Sequence, residues 1–406
     1  MLSRLLRPAF VLALSLAAGL PAQQSPFLAE RLALVPALLQ AEVEKGHHAG
    51  LAFLVLHRDQ VVAEGVFGDA DIARGRPLRR DAIVRIYSMT KPITAIAALT
   101  LVEQGKLRLD QPIREFLPEF AQPQVWVGGT VAAPQLAPAK QAITLRMLLN
   151  HTAGFTYDFF RESPLHDLYR QADLWNAVSS EDFLKRAATL PLLAQPGTAW
   201  NYSIADDVLG LLIERVTQQQ LGDYAREHVT LPLGMVDTDF DVPAAKRPRL
   251  ATLHRQENGK LVTMEPSFGV SEESGKGFDA GGAGLFSTLD DYARFCRFLL
   301  GDGGLDGKRV LSRKTLELAR QNSLRDGQQT GRPGDGWGLF SSVCVDPAAG
   351  CDLMSAGTLH WSGAATTTFF ADPKEGLIGI LFAQHMPYDE HKVIARFRTA
   401  VYQALR

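Results

Sequence analysis

Strand-like sequence gathers at the two ends of this chain and helical sequence fills the middle, and that arrangement limits the fold more than any other feature. Leu51 to His57 and Val61 to Phe67 are apolar runs joined by Arg58-Asp59-Gln60, the pattern of a β-hairpin. Ala364 to Ala371 and Leu377 to Gln384 repeat it near the other end, around Asp372-Pro373-Lys374-Glu375-Gly376. Helical patterns lie outside both hairpins, at Phe27 to Glu44 and at Glu390 to Leu405. Hairpins this far apart predict one antiparallel sheet assembled from both termini, and such a sheet needs helices on both faces to bury it. The reading is an α+β unit. Its αβ lobe comprises about residues 27-87 and 285-406, with an all-helical lobe, about 88-284, inserted. Loop-like, Pro- and Gly-rich stretches at Pro118 to Gln141 and Thr263 to Gly284 are placed to edge a cleft.

Composition removes several function classes. With 46% hydrophobic residues the 406-residue chain can bury a sizeable core. A net charge of −2 gives no reason to seek phosphate backbones, so nucleic acid is not an expected partner. Met1 to Arg7 is short and basic, Ala9 to Leu20 is almost unbroken apolar sequence, and Pro21-Ala22-Gln23 resembles a cleavage region. Residues 1-22 therefore read as a signal peptide, too short for a bilayer anchor, and no later run approaches roughly 18 apolar residues. The expected location is outside the cytoplasm, periplasmic or secreted, with no membrane anchor. In an oxidising compartment Cys344 and Cys351, which flank Val-Asp-Pro-Ala-Ala-Gly, could close a small loop as a disulfide. Cys296 falls in an amphipathic helix pattern and reads as a buried free thiol.

The chemistry begins at Ser88. Pro92 is tolerated in the first turn of a helix but not in its interior, so the apolar helix running to Val102 starts close to Ser88. Unpaired backbone N–H groups at that end can stabilise an oxyanion. Lys91, three residues on, projects from the same face within reach of the Ser88 hydroxyl. Serine needs an adjacent base, and a desolvated lysine can serve. Farther on, a Pro-Gly turn delivers Trp200-Asn201-Tyr202-Ser203 just ahead of a helical pattern, Asp206 to Thr217, which can put the Tyr202 hydroxyl into a cleft. The third element, Gly357-Thr358-Leu359-His360-Trp361-Ser362-Gly363-Ala364-Ala365, enters the penultimate strand. Gly363 permits close backbone approach there, and the Ala364 N–H could pair with that of Ser88 as an oxyanion hole.

Taken in this order, the three elements resemble the serine β-lactamase and penicillin-binding-protein superfamily. Within it they resemble the class C-like branch of family VIII carboxylesterases and related acyltransferases, which are peptidase S12-like. Leu148-Leu149-Asn150-His151-Thr152-Ala153-Gly154-Phe155, the hairpin at Gly50 to Gly68, and Ala280 to Arg294 match further segments of that family. The resemblance implies a β-lactamase/transpeptidase-like fold, Ser88 as acylated nucleophile, and Lys91 as general base or sharing the proton with Tyr202. It implies no metal or organic cofactor. The expected partners are a small-molecule ester and an alcohol acyl acceptor.

Two departures from the family pattern set the expected substrate. Tyr202-Ser203-Ile204 stands where class C β-lactamases have Tyr-x-Asn, so Ile204 cannot make the amide hydrogen bonds of Asn. Trp361-Ser362-Gly363 stands where they have Lys-Thr-Gly, which removes the cation that holds a β-lactam carboxylate. Trp361, Ser362, Gly363 and Ile204 are therefore the expected substrate contacts, and small uncharged esters the expected substrates. Two rival readings stand beside this one. A β-lactamase or DD-peptidase would hold the carboxylate with another cation, such as Arg249, Arg255 or His360. A non-catalytic envelope binding or sensor module would keep the fold without turnover. The Phe159-Phe160 and Trp175 region is placed to line the acyl pocket, His151 is assigned a structural role, and His47, His48 and His385 read as scattered hydrogen-bonding histidines.

Overall fold

The computed structural model describes residues 26–266, 277–350 and 352–406. The expected signal peptide, Cys351 and ten residues of the Thr263 to Gly284 stretch lie outside these. Eight strands make one sheet: β1 (Gly50–His57), β2 (Gln60–Asp71), β3 (Arg76–Pro77), β4 (Asp335–Trp337), β5 (Ser342–Cys344), β6 (Leu359–Gly363), β7 (Thr367–Asp372) and β8 (Leu377–Phe382). Their spatial order is β4-β5-β6-β7-β8-β1-β2-β3, so the last strand in sequence pairs with the first. That junction is antiparallel and runs from Ala52 opposite Phe382 to His57 opposite Leu377. The sheet built from both termini is thus present.

Side-chain alternation explains why β1 reads as an unbroken apolar run. Leu51, Phe53 and Val55 enter a core shared with Val35 and Leu39 of α1 (Leu34–Glu44) and Val393 and Phe397 of the C-terminal helix, Val393–Tyr402. Ala52, Leu54 and Leu56 face the other way, into the larger core. A strand covered on both faces has no polar side to show. The larger core takes in α2 (Thr90–Glu103), α3 (Ala205–Thr217) and α4 (Leu289–Leu300). Every residue of α2 from Thr90 to Leu101 is buried, as expected of a helix that is apolar all round. The C-terminal helix, being fifth among these, is α5.

Two expectations need correction. Leu359–Gly363 does not enter the penultimate strand; it is a separate strand, β6, and Ala364 lies in the turn that leads on to β7. The inserted lobe is not all helical either. It carries two small hairpins, Gln124–Gly129 with Pro134–Pro138 and His254–Glu257 with Lys260–Thr263. The first was hidden by its prolines and glycines, which a two-stranded ribbon tolerates because each strand has a free edge. Trp126 anchors it through a backbone N–H donated to Leu192 O. Among the described residues no helix is long and apolar enough to cross a membrane.

Candidate active site

Ser88 is presented by a strained turn. Val84–Arg85 pairs with Phe286–Ser287, and the chain then turns through Tyr87, whose φ of 44° is in the left-handed region. A non-glycine residue there costs conformational energy, which buried Tyr87 recovers through its surroundings. One 3₁₀ turn, Tyr87–Met89, follows and runs into α2, with Pro92 in the first turn as its chemistry requires. Ser88 is the partly exposed residue in an otherwise buried stretch from Ala82 to Leu101.

Lys91 is buried below it. Its Nζ lies 2.7 Å from the Gly282 carbonyl oxygen, 2.9 Å from Tyr157 Oη and 3.5 Å from Ser88 Oγ. The Tyr202 ring covers the amine, with its centroid 4.6 Å from Nζ. Tyr202 precedes α3, as its sequence context predicts, and its hydroxyl is buried with no hydrogen-bond partner among the described residues. Ser88, Lys91 and Tyr202 therefore converge from segments more than a hundred residues apart.

Two of the amine's neighbours were not singled out in the sequence, Tyr157 belonging to no motif and Gly282 lying in the Ala280 to Arg294 segment without an assigned role. Tyr157 follows the His151-Thr152-Ala153-Gly154-Phe155 segment. Gly282 is held by Asp207 of α3, whose Oδ1 accepts the Gly282 N–H at 2.9 Å. A Cβ at position 282 would come within 2.6 Å of Asp207 Oδ2, so glycine lets this carboxylate sit close against the turn that offers its carbonyl to Lys91. Burial governs the titration of this region. It pushes Asp207 up to about 6 and Asp206 well above the usual carboxylate range, with Lys91 pulling both back. It also lifts the Tyr157 phenol well above its ordinary value, with Tyr202, Asp207 and Asp206 adding to the rise. His151 is pushed well below its usual value by burial and by Lys91, and its Nε2 lies 3.2 Å from Asp206 Oδ2.

Strand β6 closes the other side. A Cβ on Gly363 would sit 2.2 Å from Ile86 O and 2.4 Å from Thr367 Oγ1, so glycine is what lets β6 lie against the turn that carries Ser88. Ala364 and Ser88 line a cavity of about 210 Å³, walled by Tyr157, Phe159, Trp175 and the Met386-Pro387-Tyr388 segment. Trp361 packs on Tyr202, ring centroids 5.1 Å apart, and edge-on to Trp337 at 4.5 Å. Ser362 is half-buried, and its hydroxyl donates to Thr368 Oγ1 at 2.9 Å.

Some predicted residues fall elsewhere. Ile204, which caps α3, is fully buried in the large core with its side chain turned inward. Cys344 is a free thiol packed in the core with Leu51 and Phe370, and burial pushes it up to about 11. Its expected disulfide partner, Cys351, lies outside the described residues. Cys296 is a buried free thiol, as expected. Each of the three residues considered as carboxylate anchors is already paired with a carboxylate of this chain. Arg249 pairs with Asp237 at 2.7 Å, Arg255 with Glu257 at 3.0 Å, and buried His360 with Asp335 at 3.2 Å. A different cation stands beside Trp361. The Arg332 guanidinium lies 5.9 Å over its ring. No spacing rule marks Arg332, which comes from the loop before β4.

This geometry agrees with what the chain resembles among known proteins. The family model described as Beta-lactamase matches residues 35–403. Protein Rv1367c of Mycobacterium tuberculosis is 37% identical over 354 residues, covering 85% of this chain and 88% of that protein. Esterase EstB of Burkholderia gladioli is 32% identical over 353 residues, 82% of this chain and 85% of its own. Among solved structures, "EstCE1, a hydrolase with promiscuous acyltransferase activity" superposes with a TM-score of 0.79 at 26% identity, covering 92% of this chain and 99% of that one. The fold and site define a β-lactamase/transpeptidase-type protein. The chain belongs to the β-lactamase family, within the serine β-lactamase and penicillin-binding-protein superfamily.

Proposed function

We propose that this protein is a serine carboxylesterase or transacylase that forms an acyl-enzyme on Ser88 from small uncharged esters. The observation that carries the proposal is the clamping of buried Lys91 between Gly282 O and Tyr157, which leaves its amine 3.5 Å from Ser88 Oγ. Esterase and acyltransferase relatives on this fold support acyl-transfer chemistry for the family. In the proposed reaction Ser88 Oγ attacks the ester carbonyl and gives its proton to Lys91, directly or through Tyr202. The backbone N–H groups of Ser88 and Ala364 stabilise the oxyanion. Tyr202, whose hydroxyl has no hydrogen-bond partner among the described residues, returns the proton to the departing alkoxide. Water or an alcohol acceptor then attacks the acyl-enzyme by the reverse path, with no metal or organic cofactor involved. The aromatic wall of Tyr157, Phe159 and Trp175 suits an apolar acyl chain. The signal-peptide pattern at residues 1-22 adds a periplasmic or secreted location to the proposal.

Turnover of p-nitrophenyl butyrate and of a cephalosporin, each with and without an alcohol acceptor, tests this reading. Faster ester turnover that is absent in Ser88→Ala supports it, and faster β-lactam turnover by a wide margin refutes it. Arg332 favours a second reading, in which it anchors an ester or β-lactam carrying a carboxylate. In that case Arg332→Ala raises KM for the carboxylate-bearing substrate and leaves p-nitrophenyl butyrate unchanged.

A further inference from the structure

The histidines that look scattered in the sequence meet behind the pocket wall. His47 and His48 lie in the link between α1 and β1, and His385 and His391 in the link between β8 and α5. The rings of His47 and His391 stack at 4.1 Å, and His48 stands 4.8 Å from His385 and 5.5 Å from His391. Glu390 joins them, with one carboxylate oxygen 3.1 Å from His385 Nε2 and 3.9 Å from His391 Nε2. One ligand atom from each of His385, Glu390 and His391 falls within 4.8 Å of the others.

Hydrogen bonding leaves this group unfinished. His48 is 1% exposed, yet neither of its ring nitrogens has a partner among the described residues. The same holds for His391 Nε2, while His385 Nε2 meets the Glu390 carboxylate. A buried imidazole without a partner costs stability comparable to a lost hydrogen bond, and two neighbouring chain segments would not be expected to carry several such atoms for packing alone. Neutral imidazole is the form that binds metals.

We propose that His385, His391 and the Glu390 carboxylate bind a divalent transition-metal ion of the Zn²⁺ type, and that buried His48, which stands just outside this compact group of three, turns in as the fourth donor. Ligand atoms about 2.1 Å from a tetrahedral Zn²⁺ stand about 3.4 Å apart, between the two separations Glu390 already makes. Two or three imidazoles with one carboxylate suit Zn²⁺ and its neighbours rather than Ca²⁺ or Mg²⁺. The consequence reaches the cleft, because Met386, Pro387 and Tyr388 lie between the two proposed His ligands in sequence and line the cavity beside Ser88. An ion here ties both ends of that wall to the link before β1.

The test uses the full chain, free of any histidine tag and stripped with a chelator, titrated calorimetrically with ZnCl₂ and melted with and without it. One saturable site is expected, with a Tm that rises with Zn²⁺ concentration. His391→Ala, at a partly exposed position, should keep its fold by circular dichroism and bind roughly 100-fold more weakly. His48→Gln should weaken binding in the same direction, and Ser88→Ala should leave it unchanged. Absence of a saturable site in the wild type overturns the proposal. So does a site whose affinity is the same in His391→Ala and His48→Gln, since the ion would then be bound elsewhere.

Discussion

Two buried carboxylates, Asp207 under Lys91 and Glu42 under the histidine cluster, meet opposite electrostatic fates. Glu42 is fully buried, and burial pushes it up, yet hydrogen bonds from His47, Arg396 and Lys45 overcome that and hold it at about 2. Asp207 is equally buried, but its described hydrogen-bond partner is the Gly282 N–H, and it stays up at about 6. The region around Glu42 neutralises its buried charge by direct pairing. The region around Lys91 avoids such pairing: the amine is held by a carbonyl, a phenol and a serine, all uncharged. A lysine locked to a carboxylate would be a poor base, whereas one held by neutral groups can exchange a proton with Ser88.

That contrast can be broken by substitution, most severely at the amine. Lys91→Met should lower kcat for p-nitrophenyl butyrate by roughly 10³-fold or more and preserve the fold, as steady-state kinetics beside a thermal melt will show. Retained turnover would mean that the neutral setting of Lys91 serves packing only. Tyr202→Phe should lower kcat by about 10²-fold with little change in KM, because its hydroxyl is needed at the proton transfers rather than for binding.

Stability experiments sharpen the other half of the comparison. Glu42→Gln should cost about 2 kcal/mol at neutral pH, between the surface and buried limits, because its cationic partners reach solvent. The sign of the pH dependence follows from its lowered value. The wild type holds this contribution above about 4.5 and loses it as pH falls toward 2, so denaturant melts should show a flatter acid limb in Glu42→Gln. Asp207→Asn should behave in the opposite sense. The raised value favours the folded state below about 3.8, an advantage lost as pH rises through about 6. The variant should therefore gain up to about 1 kcal/mol relative to wild type between pH 5 and pH 7.5. Parallel curves for wild type and Asp207→Asn would show that Asp207 is not the strained member of the pair.

What the sequence made legible is what lies close in the chain or alternates along it. Ser88, Lys91 and Pro92 share one helix turn, so their relation follows from helix geometry alone. The two hairpins are visible because β1 and β8 are apolar over their whole length, and sheet closure between the termini is then the way to cover both faces. Tyr157 and Gly282 are 66 and 191 residues from Lys91, and although Gly282 lies in the family-like Ala280 to Arg294 segment, only the folded chain reveals the two as its partners. Arg332 was missed for the same reason. Ile204, carried over from a family position, caps α3 and turns into the large core, a direction that spacing alone does not give. The histidine cluster was dispersed in the sequence by the whole insertion that the sheet encloses. Pairwise local spacing could not have gathered it.

The central claim is that Ser88, activated beside Lys91, carries the acyl group. Intact-mass analysis of the full chain after incubation with a fluorophosphonate, followed by peptide mapping, tests it most directly. One adduct per chain on Ser88, absent in Ser88→Ala and greatly slowed in Lys91→Met, is the predicted result. An unmodified Ser88 in folded protein, or an adduct of equal rate in Lys91→Met, would contradict it.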